Sequence, residues 1–304
     1  MKIAFYKSKL LLGFAVSNFV AFATIGLNKF LNVDNDGTLV FSEFVIIPII
    51  MGIIASWFWR KLELTGASLT WNSVLNGTIA ILLSFFFLKE GVICLIIVSP
   101  LIFAFVITGA FMGRRMFRKS NQTLNVSVFS LLLSVFIVDS LSVHHYENLV
   151  IDEIIVNAPP SEVWKHVVSF EKIKQENTYW LFQIGMPSPV QATVDGNYEG
   201  AGRKCIFSNG YVFDEKMVVY KPKENLTFDI VGQPRDPEIM GHIDILRGQF
   251  LLKDNKNGTT TLTGKSWYRL YVFPIWYYDI WAESITRNVH LRVMDHIKEL
   301  SEKH

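Results

Sequence analysis

Cysteine is nearly missing from this chain of 304 residues: there are two, Cys94 and Cys205, far apart in the sequence. Two isolated thiols exclude a disulfide framework and any zinc site built on cysteines. A dominant charge is missing as well. A net charge of +2 offers no basic surface, so no nucleic-acid partner is expected. No phosphate loop, zinc signature or Ser–His–Asp order of catalytic motifs occurs, and no pattern calls for a cofactor or a metal. Asp34-Asn35-Asp36-Gly37 opens like a calcium loop, but Glu43 falls short of the twelfth position that such a loop needs. It is expected to be an exposed turn.

The first half of the chain also lacks charge. Residues 1–149 hold 11 Lys/Arg and 7 Asp/Glu, against 18 and 20 in residues 150–304. What fills the gap is apolar. Half of all residues are hydrophobic, Phe alone occurs 24 times, and the mean hydropathy is +0.30. The composition therefore predicts a transmembrane domain over 1–143 followed by a water-soluble domain over 148–304.

Five apolar runs, 10–27, 44–59, 69–88, 92–111 and 126–141, suit the spanning length of about 17–25 residues, some after borrowing flanking residues. Trp57, Trp59 and Trp71 stand at run ends as interfacial anchors would. Nine Lys and Arg fall at the N-terminus and in the alternate loops that share its side: Lys2, Lys7, Lys9, Arg60, Lys61, Arg114, Arg115, Arg118 and Lys119. Only Lys29 and Lys89 fall in the others. That bias places the N-terminus in the cytoplasm and, with five spans, the C-terminal domain outside, in a plasma or inner membrane. Ala21-Phe22-Ala23 could pass for a cleavage site, but with further spans following, the first run is expected to be an uncleaved signal anchor. Asp139 is the one acid within a run, which favours a packing and anchoring bundle over a transporter.

In the second half, strand-like runs alternate with turn signals: 149–156, 191–198, 203–208, 211–220, 225–231, 245–253 and 259–268. Asn209-Gly210 and Asn257-Gly258 are hairpin turns. Pro159-Pro160-Ser161 stops the first strand and starts a helix, and a second short helix or turn is expected over 170–174. The chain closes on a long amphipathic helix, with Ile285, Val289, Val293, Ile297 and Leu300 forming its apolar stripe and rings crowding its start.

The run from Ile155 to Trp164 (IVNAPPSEVW) resembles the opening of the START-like, or SRPBCC, superfamily, where strand one leads into helix one. Gly200–Gly210 (GAGRKCIFSNG), Gly264–Tyr268 (GKSWY) and Pro274–Glu302 resemble its polyketide cyclase/dehydrase-like branch. There a TWY strand precedes an aromatic turn and an IH-x-RVL-x-HIK helix. This chain has Ser266 in place of that Thr, and Val289-His290-Leu291-Arg292-Val293-Met294 in the helix. The resemblance covers Val150 to Glu302. It implies an α+β helix-grip domain, a curved antiparallel sheet around a long C-terminal helix, joined here to an α-helical transmembrane bundle. It also implies a cavity for a lipid or another hydrophobic small molecule.

Phe207, Tyr211, Phe213, Phe250, Trp267, Tyr268, Trp276, Tyr278 and Trp281 are the candidate lining residues, since Tyr and Trp suit mixed cavities that also offer polar partners. Polar candidates for chemistry are few. Asp279 and Glu283, four apart on the helix, could pair for acid–base work, although Glu283 and Arg287 suit a surface ion pair equally well. His290 is expected on the flank of the stripe, as a hydrogen-bonding group or a general base. His242 with Asp244 lacks a third metal ligand. Cys205 is read as a packed small residue. A hydrophobic-ligand binder is therefore expected, with a cyclase- or hydrolase-like enzyme using the same cavity, or a sensor regulating the membrane bundle, as the alternatives.

Overall fold

The computed structural model describes residues 2–30, 42–88, 90–117, 146–234, 242–272 and 274–303. They form two compact units. The fifth apolar run and the Asp34–Gly37 turn lie outside the described residues.

The N-terminal unit is helical. It comprises α1 (Lys2–Phe30), α2 (Ile47–Trp59) entered through a π-helical turn (Ser42–Ile46), α3 (Gly66–Leu83) extended by a second one (Ser84–Leu88), and α4 (Val92–Met116). Tyr6–Gly26, Gly66–Leu88 and Val92–Met116 are each long and apolar enough to cross a membrane, and Phe44–Trp59 is a shorter apolar helix. Thr65 caps α3 by accepting a hydrogen bond from the Ser68 amide.

Helices this apolar on several faces can be held together by close approach of their backbones. Gly52 on α2 and Gly109 on α4 provide it. A Cβ on Gly109 would sit 2.1 Å from the Ile49 carbonyl oxygen, and one on Gly52 would sit 2.2 Å from that of Val106. The polar residues of α3 that interrupt its hydropathy are used inside the bundle. Asn76 is buried and accepts from Asn18 (2.8 Å) and Ser17 (3.2 Å) on α1. Trp59 at the end of α2 donates to the Leu10 carbonyl of α1 at 3.2 Å.

The C-terminal unit runs β1 (Tyr146–Val156), α5 (Pro160–Val168), a one-turn α6 (Trp180–Gln183), β2 (Pro189–Val194), β3 (Gly202–Phe207), β4 (Val212–Lys221), β5 (Asn225–Gly232), β6 (Ile243–Asp254), β7 (Thr260–Leu270) and α7 (Ile275–Glu302). The seven strands form one antiparallel sheet in the order β1-β7-β6-β5-β4-β3-β2, so the first strand returns beside the last. With the long helix across its concave face, this is a helix-grip domain. Two local expectations differ. Residues 170–174 form no helix; Phe170 bridges Ala192 instead, and the short helix comes at Trp180. β2 stops at Val194, four residues early, because Asp195 and Gly196 turn the chain.

One face of β7 (Thr260, Leu262, Gly264, Tyr268) turns inward by strand alternation. There it meets Val293, Met294 and Ile297 of α7 and Val163, Trp164 and Val167 of α5 in one core with Leu226, Phe228, Phe250 and Leu252. Gly264 lets helix and sheet meet directly, since a Cβ there would lie 2.7 Å from the Met294 sulfur.

The buried stripe of α7 is rotated from the expected one. Its buried residues are Tyr278, Ala282, Thr286, His290, Val293, Met294, His296, Ile297 and Ser301, while Ile285, Val289 and Leu300 are half-buried flanks. Apolar spacing alone missed this because polar side chains occupy sheet-facing positions.

Two predictions follow from the packing. Gly109→Ala is expected to lower the melting temperature of the detergent-solubilised protein by an amount corresponding to about 1–3 kcal/mol, because the clash is with backbone. Gly26→Ala, with nothing within 4 Å, is expected to leave it unchanged. The second concerns pH. Burial holds the imidazoles of His166 on α5 and His296 on α7 below their ordinary value, and His296 has a hydrogen bond only at Nε2, to the Glu171 carbonyl at 3.2 Å. The unfolded chain binds these protons more readily. Their contribution to stability is complete above about pH 6.5 and declines as pH falls through the folded values. Melting curves from pH 7.5 to 5 are expected to show that decline, and His296→Gln is expected to flatten it.

Candidate functional site

Three polar groupings stand out in the C-terminal unit, two of them between α7 and the sheet and one across β3 and β4, each created by strand alternation that turns a polar residue inward. The first joins β7, α7 and β1. Ser266 Oγ lies 2.7 Å from His290 Nε2, and His290 Nδ1 lies 2.9 Å from Asp152 Oδ2. Arg287, one turn earlier on α7, donates from Nε to the other Asp152 oxygen at 2.9 Å and from its Nη2 to Glu283 at 3.1 Å. His290 and Asp152 are almost fully buried, whereas Glu283 and Arg287 are half exposed.

The second grouping lies nearer the start of α7. The Tyr268 hydroxyl donates to Asp279 Oδ1 at 2.6 Å, and Asn148 Nδ2 donates to the same tyrosine oxygen at 3.2 Å and to both Asp279 oxygens at 3.1 and 3.2 Å. Burial, and then the bond to Asp279, push the Tyr268 phenol well above its ordinary value. It remains a protonated donor at any physiological pH.

The third is an ion pair across β3 and β4. Arg203 and Glu215, Cα partners in the ladder and both buried, are joined through Arg203 Nη1 and Glu215 Oε2. Arg203 also donates from Nε to the Val168 carbonyl at 3.1 Å and lies over the Phe228 ring at 4.7 Å. Burial raises the Glu215 carboxyl, while the charge and hydrogen bond of Arg203 pull it back. Cys205, next on that face of β3, is pushed up to about 12 by burial and by the Glu215 charge. It is an inert, protonated thiol.

The ring residues distribute unevenly. Phe207 and Phe213 stack tilted at 4.9 Å at the β3–β4 end, with Phe213 buried and Tyr211 half-buried in the hairpin between them. Tyr268 and Tyr278 are buried, and Trp281 is half-buried with its ring 6.3 Å from Trp180. Phe250 belongs to the core proper. Trp267, next to Tyr268, points to the opposite face of the sheet. Trp276 stands 67% exposed at the first turn of α7. His242 lies on the turn before β6, and the Asp244 carboxylate accepts from Gln233 at 3.0 Å.

Of the polar candidates, the structure turns His290 and Asp279 to the sheet-facing side of α7, in separate groupings, and leaves Glu283 on the exposed side with Arg287. Asp279 and Glu283 do not pair with each other. Of the two partners of His290, sequence reasoning notes Ser266 only as the residue in place of a family Thr and Asp152 not at all, and reads neither as functional. The signal available was inward alternation: Asp152 shares its face of β1 with Val150 and Ile154, and Ser266 shares its face of β7 with Gly264 and Tyr268.

No family model matches the chain, and no curated protein matches it. Among solved structures, it is similar to norcoclaurine synthase from Thalictrum flavum at 12% identity and a TM-score of 0.38, covering 54% of this chain and 98% of that one. It is similar to an aromatase/cyclase from a Streptomyces species at 10% and 0.36, covering 52% and 95%. A protein from Nitrosospira multiformis gives 17% and 0.32, covering 49% and 96%. The fold assignment rests on the strand order and register described above.

The Arg203–Glu215 pair gives a direct test. Glu215→Gln leaves a buried guanidinium without its counter-charge and is expected to cost about 3–5 kcal/mol in urea unfolding of the full chain. The double variant Arg203→Met/Glu215→Leu is expected to recover most of that loss.

Proposed function

We propose that this chain is a membrane-anchored helix-grip protein whose C-terminal unit takes a hydrophobic small molecule, such as a lipid, between the concave sheet and α7. One observation carries the reading. The apolar core against α7 includes Met294 and Phe250, and buried Phe213, Tyr268 and Tyr278 stand outside that cluster. Half-buried Phe207 and Trp281 belong to the same set. Mixed aromatic and hydroxyl-bearing walls suit a mostly apolar ligand with one or two polar groups.

Anchoring agrees with this. A ligand dissolved in the bilayer is at high effective concentration for a domain tethered there. The distribution of Lys and Arg puts the N-terminus in the cytoplasm, and with five spans the helix-grip unit on the opposite side. A second reading, in which the bound molecule is also a substrate, is favoured by the alignment of hydroxyl, imidazole and carboxylate in Ser266, His290 and Asp152.

The test uses the full chain purified in mild detergent. Mass spectrometry of its organic extract is expected to find a co-purifying lipid or other apolar molecule, and an environment-sensitive apolar dye is expected to bind and be displaced by it. Tyr278→Ala and Phe207→Ala are expected to weaken dye binding at least about tenfold, or ~1.4 kcal/mol, while strand content is kept. An empty extract together with unchanged dye binding in both variants would sink the reading.

A further inference from the structure

We propose that Ser266 is a nucleophile, activated by His290 and positioned by Asp152, that accepts the acyl group of a hydrophobic carboxylic ester or thioester. The proposal rests on the ligand reading above and gives it a substrate class.

The hydrogen-bond network assigns the protons. An ionised Asp152 can only accept, so the neutral imidazole carries its proton on Nδ1, facing Asp152 Oδ2 at 2.9 Å. That leaves the Nε2 lone pair toward Ser266 Oγ at 2.7 Å, so the hydroxyl is the donor in that bond. This is the arrangement in which an imidazole can remove a serine proton as the oxygen attacks. Arg287 holds the second oxygen of Asp152 at 2.9 Å and so fixes the carboxylate's orientation. Asp152 and Arg287 act through His290 and are positioning residues.

Access is the second line of argument. On the inward face of β7, Thr260, Leu262, Gly264, Tyr268 and Leu270 are all buried; Ser266 alone on that face stays partly exposed. A nucleophile needs an accessible residue, whereas a residue that only clasps helix to sheet does not. The surrounding apolar residues choose the substrate. Val150 and Gly248 flank Ser266 across the ladder, and Tyr268 follows on the same face, so an apolar acyl chain fits where a charged one would be desolvated.

The chemistry balances without redox. Ser266 Oγ bonds to the acyl carbon, its proton passes to His290 Nε2, and the alcohol or thiol departs with that proton as the ester bond breaks. Water then attacks the acyl-serine, His290 again takes and returns a proton, and the carboxylic acid leaves with the hydroxyl restored.

The experiment treats the full chain in detergent with an alkyl fluorophosphonate and, in parallel, with p-nitrophenyl esters of graded chain length. One phosphonyl adduct per chain is expected, on the peptide containing Ser266, along with ester hydrolysis that quickens with acyl length. Ser266→Ala is expected to abolish the adduct, and His290→Gln and Asp152→Asn to slow labelling roughly 100- to 1,000-fold. Ser266→Thr keeps a hydroxyl for the hydrogen bond to His290 while crowding the oxygen. It is expected to keep the melting temperature within a few degrees and to label at least tenfold more slowly.

Apolar-dye binding in the same samples separates the two readings. Dye bound with no adduct at Ser266, or with an adduct that survives Ser266→Ala, overturns the nucleophile and leaves the binding site standing. Loss of dye binding in the unmodified chain overturns both.

Discussion

A carboxylate taken out of water costs several kcal/mol unless donors or a counter-charge meet it. Asp152 on β1 and Asp279 on α7 are both held at the contact between the C-terminal helix and the sheet edge. Everything around them follows from that cost. Asp152 is met by His290 and Arg287, and Asp279 by Tyr268 and Asn148. Each set draws on two strands and the helix, so the pairing also fixes which rotation of α7 faces the sheet. An apolar seam alone would tolerate the neighbouring rotation with Ile285 and Val289 inward. The polar partners specify against it, much as a buried polar residue sets register in coiled helices.

That explains which parts could be read from the sequence. The strand–helix order, the hairpin turns at Asn209-Gly210 and Asn257-Gly258, and the long closing helix are local signals, and they appear close to where spacing placed them. The helix's inward face is not local. Thr286 and His290 look like surface residues on a helical wheel, yet both are buried, and the partners of His290 lie 24 and 138 positions away. The site was hidden for the same reason. A Ser–His–Asp relay has no fixed chain order, and here it runs Asp152, Ser266, His290. Trp276, a candidate lining ring, occupies the exposed side of the first helical turn.

The N-terminal helical unit shows the same logic with smaller residues. Gly52 and Gly109 read as ordinary glycines in apolar runs, and only the facing carbonyl oxygens, 2.2 and 2.1 Å from where a Cβ would sit, reveal why no side chain is tolerated. Asn76 lowered the hydropathy of its run, yet it is a binding point for α1. Polar atoms in such segments persist when a neighbouring helix satisfies them.

The return of β1 to the edge of β7 has a consequence in time. Every ladder partner of β1 lies 104 to 124 positions later, from Thr260 to Leu270. During synthesis that first strand therefore waits, with Ile154 and Val156 uncovered and its backbone unpaired on both sides, until nearly the whole domain has emerged. Such long-range closure is slow, and an unpaired apolar strand is a template for unwanted pairing. The Asp, Glu and Asn side chains spaced along β1 act as gatekeepers over that interval, keeping the strand soluble until the carboxylate at position 152 finds its histidine.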